Sequence, residues 1–318
     1  MSGEPRSTDL AQQPPVRLCA EKSEPTHGFP LGDLTGSTMR LRLIHLGWLL
    51  LGRSLLCLDV VIPCDLAQGP ALASCITSLY LHMRDLSRIL VISPQPLTDQ
   101  AVWVDEARFP FHRTDLPQWV PFLTNHDRRR AALTTWPLQQ QLLKLCIGLV
   151  VPDLSDPYLA IDPAVILLQP LPWVHEDGSP WQYVEQRYHM PFYAHLTRLI
   201  PGLHRIIPGS AHPYVQVIDR AVVQQLQAEV QAAHHAPLWQ AIVARIDPFH
   251  WAKGGCSIPD LLANYRQRMG KPSHYGELRW AEVTSDQEME IARQRGNGLV
   301  VRRMASPSPH PVTRIDNQ

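Results

Sequence analysis

The chain has 318 residues, enough for one large domain or two small ones that bury most of their apolar surface. Apolar residues make up 45% and charged residues 18%, which excludes a disordered or collagen-like chain. Lys plus Arg and Asp plus Glu both number 29, and a net charge of zero gives no general electrostatic reason to expect nucleic acid as a partner.

Residues 1–38 hold no apolar periodicity and are rich in Ser, Pro, Thr, Gly and Gln, so they are predicted to be disordered, with Met39 an alternative start. Residues 39–57 are strongly apolar but interrupted by Arg53, too short a run for a membrane span. The favoured reading is an N-terminal helix packed on the domain. The other is a peripheral membrane contact through residues 41–58, with Arg40, Arg42 and Arg53 near anionic headgroups. Residues 58–63 read as a buried parallel strand closed by Pro63, 71–86 as a helix, and 88–93 as a second buried strand. Strand, helix and strand in that space make a βαβ unit. Further strands are predicted at 102–105, 158–161 and 164–168, with a helix at 137–149 that has Pro137 in its first turn. The second half is more helical. Strands at 181–184 and 214–218 alternate with helices at 191–200, 220–233, 237–246 and 258–269, and Asp219 is placed to cap the second of these. A last strand is predicted at 277–283, and residues 296–318 read as a disordered tail.

The basic run Arg128-Arg129-Arg130 reads first as a solvated face and second as a contact to an anionic ligand. Six cysteines, with no Cys-x-x-Cys pair and mostly in apolar runs, fit free thiols in a reducing compartment. The location this predicts is cytoplasmic, with the membrane-contact reading putting the chain on the cytoplasmic face.

Open α/β sheets bind ligands beyond the carboxyl ends of their parallel strands. After the first predicted strand stand Pro63, Cys64 and Asp65; after the second, Ser93; after the third, Asp105 and Glu106; after the fourth, Asp162. Each acid alone reads as a helix cap or a surface group. Their shared place at strand ends makes one converging site an equal reading. There is no Gly-x-Gly-x-x-Gly, P-loop or Gly-x-Ser-x-Gly pattern, which argues against dinucleotide, ATP or serine-hydrolase chemistry.

Several blocks in order resemble a bacterial family of GT-A-type glycosyltransferases. They are Leu58-Asp59-Val60-Val61-Ile62-Pro63-Cys64, Arg88-Ile89-Leu90-Val91-Ile92-Ser93, Val102-Trp103-Val104-Asp105-Glu106, Trp136-Pro137-Leu138-Gln139-Gln140, Tyr158-Leu159-Ala160-Ile161-Asp162-Pro163-Ala164 and Tyr188-His189-Met190-Pro191. The resemblance covers roughly residues 58–282. It implies a GT-A-like, Rossmann-like mixed sheet flanked by helices over residues 58–295, and transfer of a sugar from a nucleotide-diphosphate donor to a glycan or other hydroxyl acceptor. Asp105 would lie near the nucleoside and Asp162 near a Mg²⁺ or Mn²⁺ ion that bridges the diphosphate. Asp65, Glu106, Gln140, Lys144, Arg198 and His212 are the further candidates for substrate contacts, and Asp260 for the base on the acceptor hydroxyl.

The sequence departs from the family at three places. The metal motif ends on Ala164, so the second acid is missing, and one carboxylate is a poor holder for a hard dication. The acidic segment expected near Cys256-Ser257-Ile258-Pro259-Asp260 keeps only Asp260, whose bland reading is a helix-start acid. The expected histidine pair is reduced to His212, and a lone His is more often structural. The alternative reading is therefore a catalytically decayed scaffold that binds a sugar, a nucleotide or a protein.

Overall fold

The run Leu58-Asp59-Val60-Val61-Ile62-Pro63 forms β1 (Leu58–Pro63) in the computed structural model, which describes residues 57–124, 128 and 135–303. All six residues are buried, as a strand covered on both faces requires. α1 (Gly69–His82), β2 (Leu86–Ser93), β3 (Val102–Asp105), α2 (Trp136–Cys146) and β4 (Tyr158–Ile161) follow. Next come β5 (Val165–Leu167), β6 (Trp181–Glu185), α3 (Met190–Leu199), β7 (Ser210–Ala211) and β8 (Val215–Ile218). The chain ends its described part with α4 (Arg220–His234), α5 (Leu238–Ala244), α6 (Ile258–Arg268), β9 (His274–Glu277), β10 (Trp280–Val283), α7 (Asp286–Gln294) and β11 (Leu299–Arg302).

The main sheet has the order β3-β2-β1-β4-β8. β1, β2, β3 and β4 are parallel, and β8 pairs antiparallel with β4. Period-two alternation splits the core. Val61, Leu90, Ile92, Tyr158 and Ala160 face one side with α2 to α6; Val60, Ile62, Ile89, Val91, Leu159 and Ile161 face the other with α1 and β5. The fold is thus mixed α/β with helices flanking the sheet. Two three-stranded sheets, β10-β11-β5 and β7-β6-β9, lie beside it.

Asp59 sits in this core at 2% exposure and is neutralised there. Arg88 Nε and Nη2 each donate to its Oδ2 at 3.1 Å, and the Ser155 N–H adds a third bond at 2.9 Å. A buried carboxylate needs such partners, and these stand at the start of β1, opposite the carboxyl edge. Asp219 caps α4 as predicted, accepting from the N–H groups of Ala221 and Val222 at 3.0 and 3.3 Å.

Three expectations change. Residues beyond Gly296 are not all tail: β11 pairs parallel with β10 and antiparallel with β5, burying Leu299, Val300 and Val301. A run of three aliphatic residues carries no readable period, and its partner strand lies far back in the sequence. The single strand predicted at 277–283 is two strands in different sheets. Cys64, Cys75, Cys146 and Cys256 are free and buried, but Cys57 is disulfide-bonded, so the thiols are not uniformly free. The predicted segment 1–38, the helix at 39–57, Arg129, Arg130 and residues 304–318 lie outside the described residues. Among the described residues, no helix is long and apolar enough to cross a membrane.

Candidate functional site

The chain runs outward from β1 through β2 to β3, then crosses back to lay β4 on the other flank of β1. That reversal is a topological switch point, the place where open α/β sheets form their ligand crevice. Cys64 and Asp65 follow β1, and Asp162 follows β4.

Asp65 opens a single 3₁₀ turn (Leu66–Gln68), its Oδ1 accepting from the Gln68 N–H at 3.0 Å. The Gln68 Oε1 receives three donors: the Asp65 N–H at 3.4 Å, Trp136 Nε1 at 3.0 Å and Gln140 Nε2 at 3.2 Å. Gln140 Nε2 also donates to the Pro63 carbonyl at 3.3 Å. Both hydrogens of that amide are used inside the protein, so Gln140 braces α2 against the end of β1.

Asp105 ends β3, its Oδ1 capping the next turn through the Ala107 N–H at 2.9 Å. Loss of water pushes the neighbouring Glu106 carboxyl up; Arg113 and His112 oppose the rise, and Asp105 and Asp65 add to it. Asp65, Asp105 and Glu106 stand at or just after the carboxyl ends of β1 and β3, on one edge of the sheet.

Asp162 is half-buried, with one oxygen accepting from the Ala164 N–H at 3.0 Å. Its N–H donates to the Tyr214 carbonyl at 2.9 Å. Lys144 lies behind it on α2. Burial holds the Lys144 ammonium below its ordinary value, and Asp162 and then Cys75 pull it back up. Lys144, Tyr214 and Gln216 border a cavity of about 10 Å³, room for roughly one water. The Cys64 thiol is pushed up to about 12 by burial and then by Asp65 and Asp162, which ties the ends of β1 and β4 into one electrostatic neighbourhood. Asp162 thus has one oxygen free of donors among the described residues, no acid at position 164, and a lysine behind it. That donor set does not fit a tightly held hard dication.

A second group sits where β7 meets β6. His212 is buried, and its Nδ1 accepts from the Tyr214 N–H at 3.3 Å, so the ring proton is on Nε2. Nε2 faces Glu185 Oε1 at 3.7 Å, and neither atom has a hydrogen-bond partner among the described residues. Burial, then Arg187 and Lys144, push the imidazole down to about 3. Arg187 pairs loosely with Glu185 at 3.7 Å. Asp260 occupies the first turn of α6, with Ser257 as its cap. The Ala211 N–H donates to Asp260 Oδ1 at 2.9 Å, whereas Oδ2 is buried with no hydrogen-bond partner among the described residues. Burial raises this carboxyl, while Ser257, Ala211, Arg187 and Arg205 favour its charged form.

Arg198 is not part of this assembly: on α3 it pairs with Asp247 at 3.1 Å. Glu185, Arg187 and Tyr214 are the members that no motif announced. The segment Trp181-Gln182-Tyr183-Val184-Glu185 mixes polar and apolar residues, and only the pairing Val184↔Ala211 sets Glu185 beside His212. No protein-family profile matches the chain, and neither does any curated protein.

Proposed function

We propose that the chain transfers a sugar from a nucleoside-diphosphate donor to a hydroxyl acceptor, with weak or absent metal dependence. The observation that carries this reading is that Asp65 and Asp162 follow the two strands flanking the switch point, with Asp105 and Glu106 at the same carboxyl edge two strands away. Parallel strands with an antiparallel β8 at the edge also suit a GT-A-like sheet. In this reading Asp105 and Glu106 meet the nucleoside hydroxyls, and Lys144 lends positive charge behind Asp162, where the diphosphate leaves. Asp260 is the base candidate, because a carboxylate with a raised proton affinity abstracts a hydroxyl proton better. The test is transfer or donor hydrolysis across a panel of nucleotide-sugars, with EDTA and with Mn²⁺. Turnover that survives EDTA and falls at least tenfold in Asp260→Asn is expected. Failure to bind any nucleotide or nucleotide-sugar would sink the reading.

Ala164 favours a second reading, a decayed transferase that retains binding alone. Nucleotide binding without turnover in the natural chain, with metal-dependent turnover appearing in Ala164→Asp, would decide for it.

A further inference from the structure

We infer that His175, Asp177 and His274 form a zinc site on the face of the β7-β6-β9 sheet, separate from the crevice at Asp162. The three side chains offer one ligand atom each, all within 4.8 Å of one another. His175 Nδ1 lies 3.4 Å from Asp177 Oδ1, and His274 Nε2 lies 3.5 Å from Asp177 Oδ2. Zinc binds such nitrogen and oxygen ligands at about 2.0–2.2 Å in a tetrahedron, so its ligand atoms stand about 3.3–3.6 Å apart. The two histidines approach different oxygens of Asp177, and the ligand atoms, at up to 4.8 Å apart, must close by about 1 Å around an ion.

The surroundings hold the three groups in place. His175 and Asp177 belong to a tight reversal closed by the bridge Val174↔Pro180 and by the His175 N–H donating to the Ser179 carbonyl at 2.8 Å. Gly178 takes the left-handed position of that turn at φ +81°. The Ser179 N–H and hydroxyl both donate to Asp177 Oδ1, fixing the carboxylate as outer partners of a metal ligand do. His274 starts β9, whose N–H donates to the Pro180 carbonyl at 3.1 Å, so β9 delivers it to the turn. Its ring stacks on His175 at 3.8 Å and on Trp181 at 5.8 Å. Trp181 reaches there because residue 276 is glycine: a Cβ at Gly276 would stand 2.8 Å from Trp181 Nε1. Two imidazole nitrogens and one carboxylate suit a borderline cation better than a hard one, and the stacked rings must part by about 1.5 Å to share a tetrahedral ion. His175 and Asp177 are exposed, so a water completes the fourth position.

The test is titration of the full chain, stripped with EDTA, with Zn²⁺ by calorimetry and with Co²⁺ by its visible absorption. One equivalent bound, intense tetrahedral Co²⁺ bands and a raised melting temperature are expected. Affinity should fall at least tenfold in His175→Ala and in His274→Ala, and stay unchanged in Asp162→Asn. No binding by the natural chain, or undiminished binding in both histidine variants, overturns the proposal. Loss of binding in Asp162→Asn alone also overturns it, by moving the ion to the crevice. Melting of the variants in EDTA checks their fold. Should one unfold, Asp177→Asn in the same Co²⁺ titration takes its place, with at least tenfold weaker binding expected and undiminished binding overturning the proposal.

Discussion

His195 has lost its water completely, and that loss sets a pH dependence. Its Nε2 lies 2.9 Å from the Ile242 carbonyl, its Nδ1 has no partner among the described residues, and burial pushes the ring down to about 4. Unfolded, the ring titrates near 6.5. Between those values the unfolded chain binds the extra proton, so stability is fully present above about 6.5 and is lost as pH falls towards 4. The loss amounts to about 3 kcal/mol for this residue. Urea midpoints at pH 7 and pH 4.5 should show it, and His195→Gln should flatten the profile; an unchanged midpoint in the natural chain would refute the account. The residues of the crevice were more readable than those of the core. Asp65, Asp105 and Asp162 each close an apolar run, so strand polarity alone sends them to one edge. The hydrogen bonds of Gln140 to Pro63 and Gln68 leave no trace in the sequence, because those partners are far away along the chain. The ion pair of Arg198 is hidden for the same reason, since its partner Asp247 sits on a different element.

At the scale of elements, the contact between β6 and β7 depends on a missing side chain. A Cβ at Gly209 would lie 2.6 Å from the Glu185 carbonyl oxygen, a backbone atom that cannot swing aside. Gly209→Ala should push the two strands apart and separate Glu185 from His212. The expected result is a cooperative fold with a melting temperature a few degrees lower, and an unchanged melting temperature would show that the β6–β7 contact tolerates a Cβ there. β11 gives a second case. Its apolar residues alternate, Leu299 and Val301 facing the α1 side and Val300 packing with Val283 and Ala292 of α7. Burying three aliphatic side chains contributes about 5 to 9 kcal/mol, comparable with the whole stability of many domains. A chain ending at Gly298 should therefore lose most of its cooperative thermal transition. A sequence reading that ends the domain at 295 would predict no change, because pairing with Val165–Leu167 leaves no local trace.

For the whole molecule, the main sheet divides the apolar interior into two bodies with few shared side chains. Small cavities on opposite faces should then act independently. Ile76→Val on one face and Ile242→Val on the other should each cost about 1 kcal/mol, and the double variant their sum within about 0.5 kcal/mol. The free cysteines are divided in the same way: Cys64 and Cys75 on the α1 side, Cys146 and Cys256 on the other. Burial raises all four thiols, three of them to about 12, so reactive thiolate is scarce at neutral pH and solvent does not reach the sulfur. An alkylating reagent must wait until one face opens. Mass spectrometry of a timed labelling reaction would then act as two stopwatches in one chain, one for each side of the sheet.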